Sequence, residues 1–276
     1  MKSLGVLTWW VRLIIATNLI LFCLATIGTL DIARASNFYG PSRILTAAIQ
    51  LSGLSPSIAQ TIAKKCQLSS LCVASAVAKA LGEKSEVFQV SHPDTDSMRL
   101  AKISPSIDRV QQFDQPSLLI KLNQFSRNAE WEVAEVFQQL NKVPSRLIID
   151  LRDNKGGDLG KMTRVAALFI GSFENALYLQ SRSGIEALNI PKPVIPRIKV
   201  KLSILVGEDT ASSAEIFAAL LRRYAGAKLY GKRTKGKDWV TQLIPVNHDT
   251  RLAIPVGNIY IPGQSLVGGI LPDRIF

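Results

Sequence analysis

The stretch 200-VKLSILVGEDTASSAEIFAALLRRYAGA-227 runs an apolar segment into a helical pattern, with two adjacent serines at the junction. Residues 200–206 read as a buried strand, and the apolar spacing from Ala214 to Ala227 reads as a helix. Strand, short polar turn and helix make the repeating unit of an α/β layer. Ser212 followed by Glu215 ahead of an apolar helical run matches a capping box, in which both side chains satisfy free helical N–H groups. A serine at this junction also fits a nucleophile, and something must then take its proton. The chain has two histidines, His92 and His248, and neither is near Ser212 in sequence.

The same alternation extends on both sides. Upstream, the strand 118-LLIKL-122 precedes a helix over 129–142. The strand 147-LIIDL-151 leads through Gly156 and Gly157 to a helix over 159–171. A proline-rich connection, 191-PKPVIPR-197, then reaches the strand at 200. Downstream, 239-WVTQLIPV-246 and 251-RLAIPVGNIYI-261 read as strands joined by the turn 247-NHDT-250. The pattern predicts an α/β fold with a mixed, partly parallel sheet and crossover helices. A glycine pair straight after a buried strand lets backbone approach a ligand, although a strand-to-helix turn wants glycine for conformation alone.

Before this core, apolar residues from Ile44 to Leu81 recur at helical spacing, punctuated by Gly53, Pro56 and Gly82. They predict a small bundle of three short helices. Strands are expected over 86–90 and 98–103, on either side of the turn 92-HPDTD-96. Cys66 and Cys72 bracket a helix–helix turn. They read either as a disulfide or as two small buried residues.

At the start, Lys2 and Arg12 precede the uncharged run 13-LIIATNLILFCLATIGTL-30, and 31-DIARAS-36 holds an A-x-A pattern. This describes a secretory signal peptide, and the run is also just long enough to remain as a membrane anchor. Either reading exports the body of the protein. The division expected is 1–35 leader or anchor, 36–84 helical segment and 85–276 α/β core. With 33 Lys and Arg against 21 Asp and Glu, the formal charge is +12. Such an excess favours anionic partners. No zinc-finger spacing or aromatic–basic interleaving argues for nucleic acid.

Four ordered motifs over 118–273 resemble the C-terminal processing proteases, the tail-specific, S41-type serine peptidases. They are the strand 118-LLIKL-122 followed by 150-DLRDNKGG-157, then 210-TASSAEI-216, the pair Gly236-Lys237, and 269-GILPD-273. The resemblance implies an S41-core fold and a serine endopeptidase in which Ser212 attacks a peptide carbonyl with Lys237 as general base. A lysine acts so only when neutral, a form that desolvation and nearby positive charge favour. It also implies an oxyanion held by backbone N–H groups of Ser213 and of Gly156 or Gly157, a polypeptide substrate, and no metal or organic cofactor. The sequence departs from the family pattern at several places. Lys155 replaces a proline and Lys235 an apolar residue. Thr241 stands where a dyad-orienting glutamine is usual, with Gln242 one residue later. No PDZ domain is recognisable in 40–115, so a partner protein could replace that gate. The alternative function is an inactive or weakly active relative that binds peptides.

Overall fold

The computed structural model describes residues 40–67, 69–89, 105–113 and 117–276. The leader or anchor over 1–35, the turn 92–96 with His92, and the strand expected over 98–103 lie outside the described residues. In chain order the first elements are α1 (Pro41–Ser52), α2 (Pro56–Cys66), α3 (Ser70–Leu81), β1 (Glu86–Gln89), β2 (Ile107–Gln112), β3 (Ser117–Leu122), α4 (Ala129–Gln138) and β4 (Arg146–Asp150). There follow α5 (Leu159–Ile170), β5 (Phe173–Ser181), β6 (Gly184–Ile190), β7 (Lys201–Val206) and α6 (Ser213–Ala225). The last are β8 (Lys228–Gly231), β9 (Trp239–Pro245), β10 (Thr250–Tyr260) and β11 (Arg274–Ile275). Among the described residues no helix is long and apolar enough to cross a membrane.

The chain divides into two compact units. One comprises residues up to Gln50, Leu54–Ser91 and Leu243–Ile254; the other comprises Leu51–Gly53, His92–Gln242 and Pro255–Phe276. In the first, the three expected helices bury one stripe each: Ile44, Leu45 and Ala48, then Ala59 and Ile62, then Val73, Ala74 and Val77. These i, i+3 and i+4 spacings are the signal that predicts the helices. Pro56 opens α2, where a missing N–H costs nothing, and Ser69 caps α3 by accepting from the Cys72 N–H at 3.3 Å. A disulfide joins Cys66 to Cys72 across the turn, with Cα atoms 5.4 Å apart. β1 pairs antiparallel with the start of β10, Glu86 opposite Ala253 and Gln89 opposite Thr250. The turn before β10 is fixed by Asn247 Oδ1, which accepts from the N–H groups of Asp249 and Thr250 at 3.1 and 2.8 Å.

The second unit holds a six-stranded sheet in the order β11-β8-β7-β4-β3-β2. Strands β3, β4, β7, β8 and β11 run parallel, and β2 is antiparallel to β3. In register, Leu118, Leu147 and Leu202 lie side by side, as do Ile149 and Ile204 with Leu229. Helices α4, α5 and α6 make the crossovers, and α5 packs against both α4 and α6. The core is continuous, with Phe125 tilted on Phe217 at 5.2 Å between ring centroids and Phe137 edge-on to Phe169 at 6.3 Å. The later half of β10 pairs with β5, which forms a hairpin with β6.

The structure differs from the sequence expectation in several respects, among them strands β2 and β11, which the pattern did not predict. Helix α4 ends at Gln138 rather than at 142, because Pro144 disfavours helical backbone at Val143 and the chain turns early. The hairpin β5–β6, with its turn at Arg182-Ser183, gives no clean alternation and was not anticipated. Residues 228–231, assigned to no element by the sequence pattern, form β8, in which Leu229 is fully buried.

Candidate active site

Parallel strands bring their carboxyl ends to one side, where ligand sites of open α/β sheets form. The turns after β4, β7 and β8 meet there. Thr210, fully buried, donates its hydroxyl to the Leu151 carbonyl at 2.7 Å and accepts from the Gly207 N–H at 2.9 Å. The Ala211 N–H donates to the Asn154 carbonyl at 3.1 Å. The chain then turns sharply at Ser212, which takes φ 55° and ψ −126° before α6 starts. Ordinary N-caps are extended. A non-glycine residue here stores about 1–3 kcal/mol of strain and needs its surroundings to hold it.

Glu215 supplies much of that hold. Its side chain is 1% exposed, and its carboxylate accepts four hydrogen bonds. Oε2 receives the N–H groups of Ser212 at 2.9 Å and Lys237 at 2.8 Å. Oε1 receives the Thr234 hydroxyl and the Gly236 N–H, each at 2.6 Å. The candidate nucleophile and the candidate base therefore hang by their backbones from one buried oxygen. Four donors compensate a charge that would otherwise be costly to bury. Further bonds fix the lysine loop. The Lys235 N–H donates to the Thr210 carbonyl at 3.0 Å, and the Thr234 hydroxyl accepts from the Ile270 N–H at 2.7 Å. Gly236, at φ 84°, lets the loop pass the 268–270 segment, because a Cβ there would sit 2.6 Å from the Gly269 nitrogen.

The glycine turn lies against Ser212. A Cβ on Gly156 would come within 3.0 Å of Ser212 Cβ and 3.1 Å of the Ser213 nitrogen. Asn154, fully buried, donates Nδ2–H to the Leu122 carbonyl at 3.0 Å and accepts from the Gly156 N–H at 2.8 Å. The Gly156 N–H is thus engaged. Among the described residues the N–H groups of Gly157 and Ser213 have no protein acceptor, and the Ser213 hydroxyl donates to the Gly157 carbonyl at 2.9 Å. The turn is anchored electrostatically too. Buried Asp150 accepts from Arg152 Nε and Nη2 at 3.0 and 2.7 Å, which raises the guanidinium above its ordinary range. Lys121 bridges Asp153 at 2.9 Å and Asp108 at 3.4 Å, and its hydrogen bond holds the Asp153 carboxyl below its ordinary value.

Lys237 is half-buried, and its Nζ lies 5.6 Å from the centroid of the Trp239 ring. Among the described residues Nζ makes no ion pair, and neither Thr241 nor Gln242 hydrogen-bonds to it. Thr241 is half-buried on β9, whereas Gln242 is exposed. The structure therefore brings together the backbones of Ser212, Ser213, Gly156, Gly157 and Lys237, while Gln242 is exposed on β9. Sequence reasoning missed Asn154, Thr234 and Trp239. It found Glu215 only as half of a capping box.

A strained serine at the carboxyl end of a parallel sheet, beside two unengaged N–H donors, is the layout of a serine-type hydrolase. The chain belongs to peptidase family S41, whose family model matches residues 117–276. It is 30% identical over 217 residues to a carboxyl-terminal-processing protease of Picosynechococcus sp., covering 72% of this chain and 51% of that protein. It is 32% identical over 121 residues to a probable CtpA-like serine protease of Staphylococcus epidermidis, covering 43% of this chain and 25% of that protein. The chain thus spans about half, or less, of the length of these relatives. Among solved structures, a lipoprotein from Streptococcus agalactiae superposes with TM-score 0.67 at 20% identity, over 86% of this chain and 90% of that one. A putative peptidase from Parabacteroides merdae gives TM-score 0.53 at 16% identity, with coverage of 86% and 90%. Both are likenesses of fold.

Proposed function

We propose that this chain is an exported serine endopeptidase that cleaves extended polypeptide segments through Ser212 and Lys237. The observation that carries the reading is the Glu215 carboxylate, which ties the Ser212 and Lys237 backbones together at 2.9 and 2.8 Å. Lys237, as general base, takes the proton as Ser212 Oγ attacks the peptide carbonyl carbon. The oxyanion meets the N–H groups of Gly157 and Ser213, the donors left available when Asn154 occupies that of Gly156. The leaving amine takes the proton from Lys237, and water then hydrolyses the acyl-enzyme by the same route. Residues 1–35 serve as leader or anchor, 36–84 as a helical segment, and the peptidase core is drawn from within 85–276, without 243–254. A partner protein gates the site, since no PDZ domain is recognisable in the sequence of 40–115.

A second reading is favoured by one observation. Lys237 Nζ lies over the Trp239 ring while Gln242 is exposed, an arrangement that suits a peptide-binding relative with little catalysis.

The deciding experiment incubates the chain with an unfolded protein and reads the products by mass spectrometry. Under the proposal, Ser212→Ala and Lys237→Ala each lower turnover by on the order of 10³-fold or more, whereas Lys235→Ala leaves it within a few-fold. Cleavage that survives in Ser212→Ala rejects the nucleophile. Binding without cleavage by the unaltered chain establishes the second reading.

A further inference from the structure

Part of the chain's formal net charge of +12 is gathered at one end of the peptidase unit's sheet. Two segments, 139-QLNKVPSR-146 and 191-PKPVIPRIKVK-201, carry six cations and no Asp or Glu. They are Lys142, Arg146, Lys192, Arg197, Lys199 and Lys201, all exposed. The sheet brings the segments together. Arg146 and Lys201 are register partners at the start of β4 and β7, and the Lys201 N–H donates to the Ser145 carbonyl at 3.2 Å. Among the described residues none of the six forms an ion pair. Between the segments runs an apolar groove of about 460 Å³ floored by Phe137 and Ile198, and Val143 stands 54% exposed at its edge.

These residues lie at the amino ends of the parallel strands, and the candidate active site lies at the carboxyl ends. We infer that this basic, apolar-seamed face docks the peptidase unit on an anionic membrane surface, with the active site directed away from the bilayer. Charge complementarity chooses an anionic partner. The membrane is chosen over other polyanions because the sequence carries an uncharged apolar run at 13–30, which brings the chain to a bilayer during export or keeps it there. A lysine or arginine near an anionic leaflet strengthens binding about fivefold, and Val143 adds a small apolar contact with the headgroup region. Five strand residues separate the two ends of the sheet by roughly 17 Å, beyond the Debye length at physiological salt. The active-site end would therefore not feel the surface. This inference does not use the roles of Ser212 and Lys237, so a chain without proteolytic activity leaves it standing.

The test is lysine footprinting of the full chain by reductive methylation, read by mass spectrometry, on vesicles of phosphatidylcholine alone or with a third phosphatidylglycerol. The expected result is at least fivefold slower labelling of Lys142, Lys192, Lys199 and Lys201 on the anionic vesicles only, restored by 0.5 M salt, with Lys155 and Lys235 changing less than twofold. Replacing those four lysines by Gln should lower the preference for anionic vesicles by roughly 600-fold, about fivefold per lysine. Equal protection at both ends, equal protection on both vesicle types, or an unchanged preference in the quadruple variant overturns the inference. So does soluble polyglutamate that protects the same lysines as strongly at equal charge, because the face would then be a general polyanion site.

Discussion

Ser212 keeps a backbone conformation that serine rarely adopts because its neighbours leave it no alternative. Its N–H is held by Glu215, and its carbonyl accepts from the Glu215 and Ile216 N–H groups at 2.9 and 3.1 Å. Glu215→Gln tests that hold. The amide offers one acceptor oxygen, so two of the four donors would face an NH₂ group. The expected cost is about 2–3 kcal/mol in denaturant unfolding, together with at least a tenfold loss of cleavage. An unchanged midpoint would mean that the carboxylate is not the tether. Gly157→Ala probes the other wall. At φ 140°, its added Cβ would come within 2.7 Å of the Phe125 carbonyl and 2.8 Å of the Phe125 nitrogen, so the turn must shift and cleavage should be lost. At this scale the sequence was half legible. The S-x-x-E spacing announces a cap, but three donors to Glu215 come from Thr234, Gly236 and Lys237, 19–22 residues further on. No local pattern encodes that distance.

Elements were more readable, because burial imprints a period on the sequence. Strands β3, β4 and β7 each show the run of apolar residues expected of a covered parallel sheet, and α5 and α6 show nearly continuous burial on their inner faces. The hairpin β5–β6 was hidden for the opposite reason. Its exposed and buried residues do not alternate, and its turn lacks the Asn-Gly or Asp-Gly signal. In the helical unit the turn between α2 and α3 is closed covalently. Replacing both Cys66 and Cys72 by Ala should lower the stability of that unit by about 2 kcal/mol, the loop entropy of so short a closure. Non-reducing peptide mapping should show the two cysteines linked; free thiols at both would remove the basis for this prediction.

At the scale of the whole chain, the closing segment seals the peptidase unit. Asp273 accepts from the Leu229 N–H at 2.8 Å and from Arg222 at 2.7 Å, while its own N–H donates to the Leu229 carbonyl at 2.9 Å. Burial pushes its carboxyl up, but the Leu229 N–H and Arg222 outweigh that and hold it below its ordinary value of 3.8. A lowered folded value means that the stabilisation is fully present above about 3.8 and is lost as pH falls below it. Thermal midpoints should therefore hold from pH 7 to 5 and drop below about 4. Asp273→Asn should cost about 1–2 kcal/mol at pH 7 and much less at pH 3. A loss that is the same at both pH values would show that the charge contributes nothing. Fold class was legible here from the order of strands and helices alone. The division into units was less so, because residues 243–254, read as part of the core, cluster with the helical segment instead. Their strand pattern identifies their conformation but not their neighbours.

Under the proposed function, the Glu215 tether also sets when the site can form. Serine and lysine are both present in any unfolded molecule, but they share a site only after β8 has joined β7 and its following loop has closed on α6. A polypeptide still being made carries both residues without their pairing. Under the proposed function, proteolysis would then be withheld by topology alone until the chain has folded.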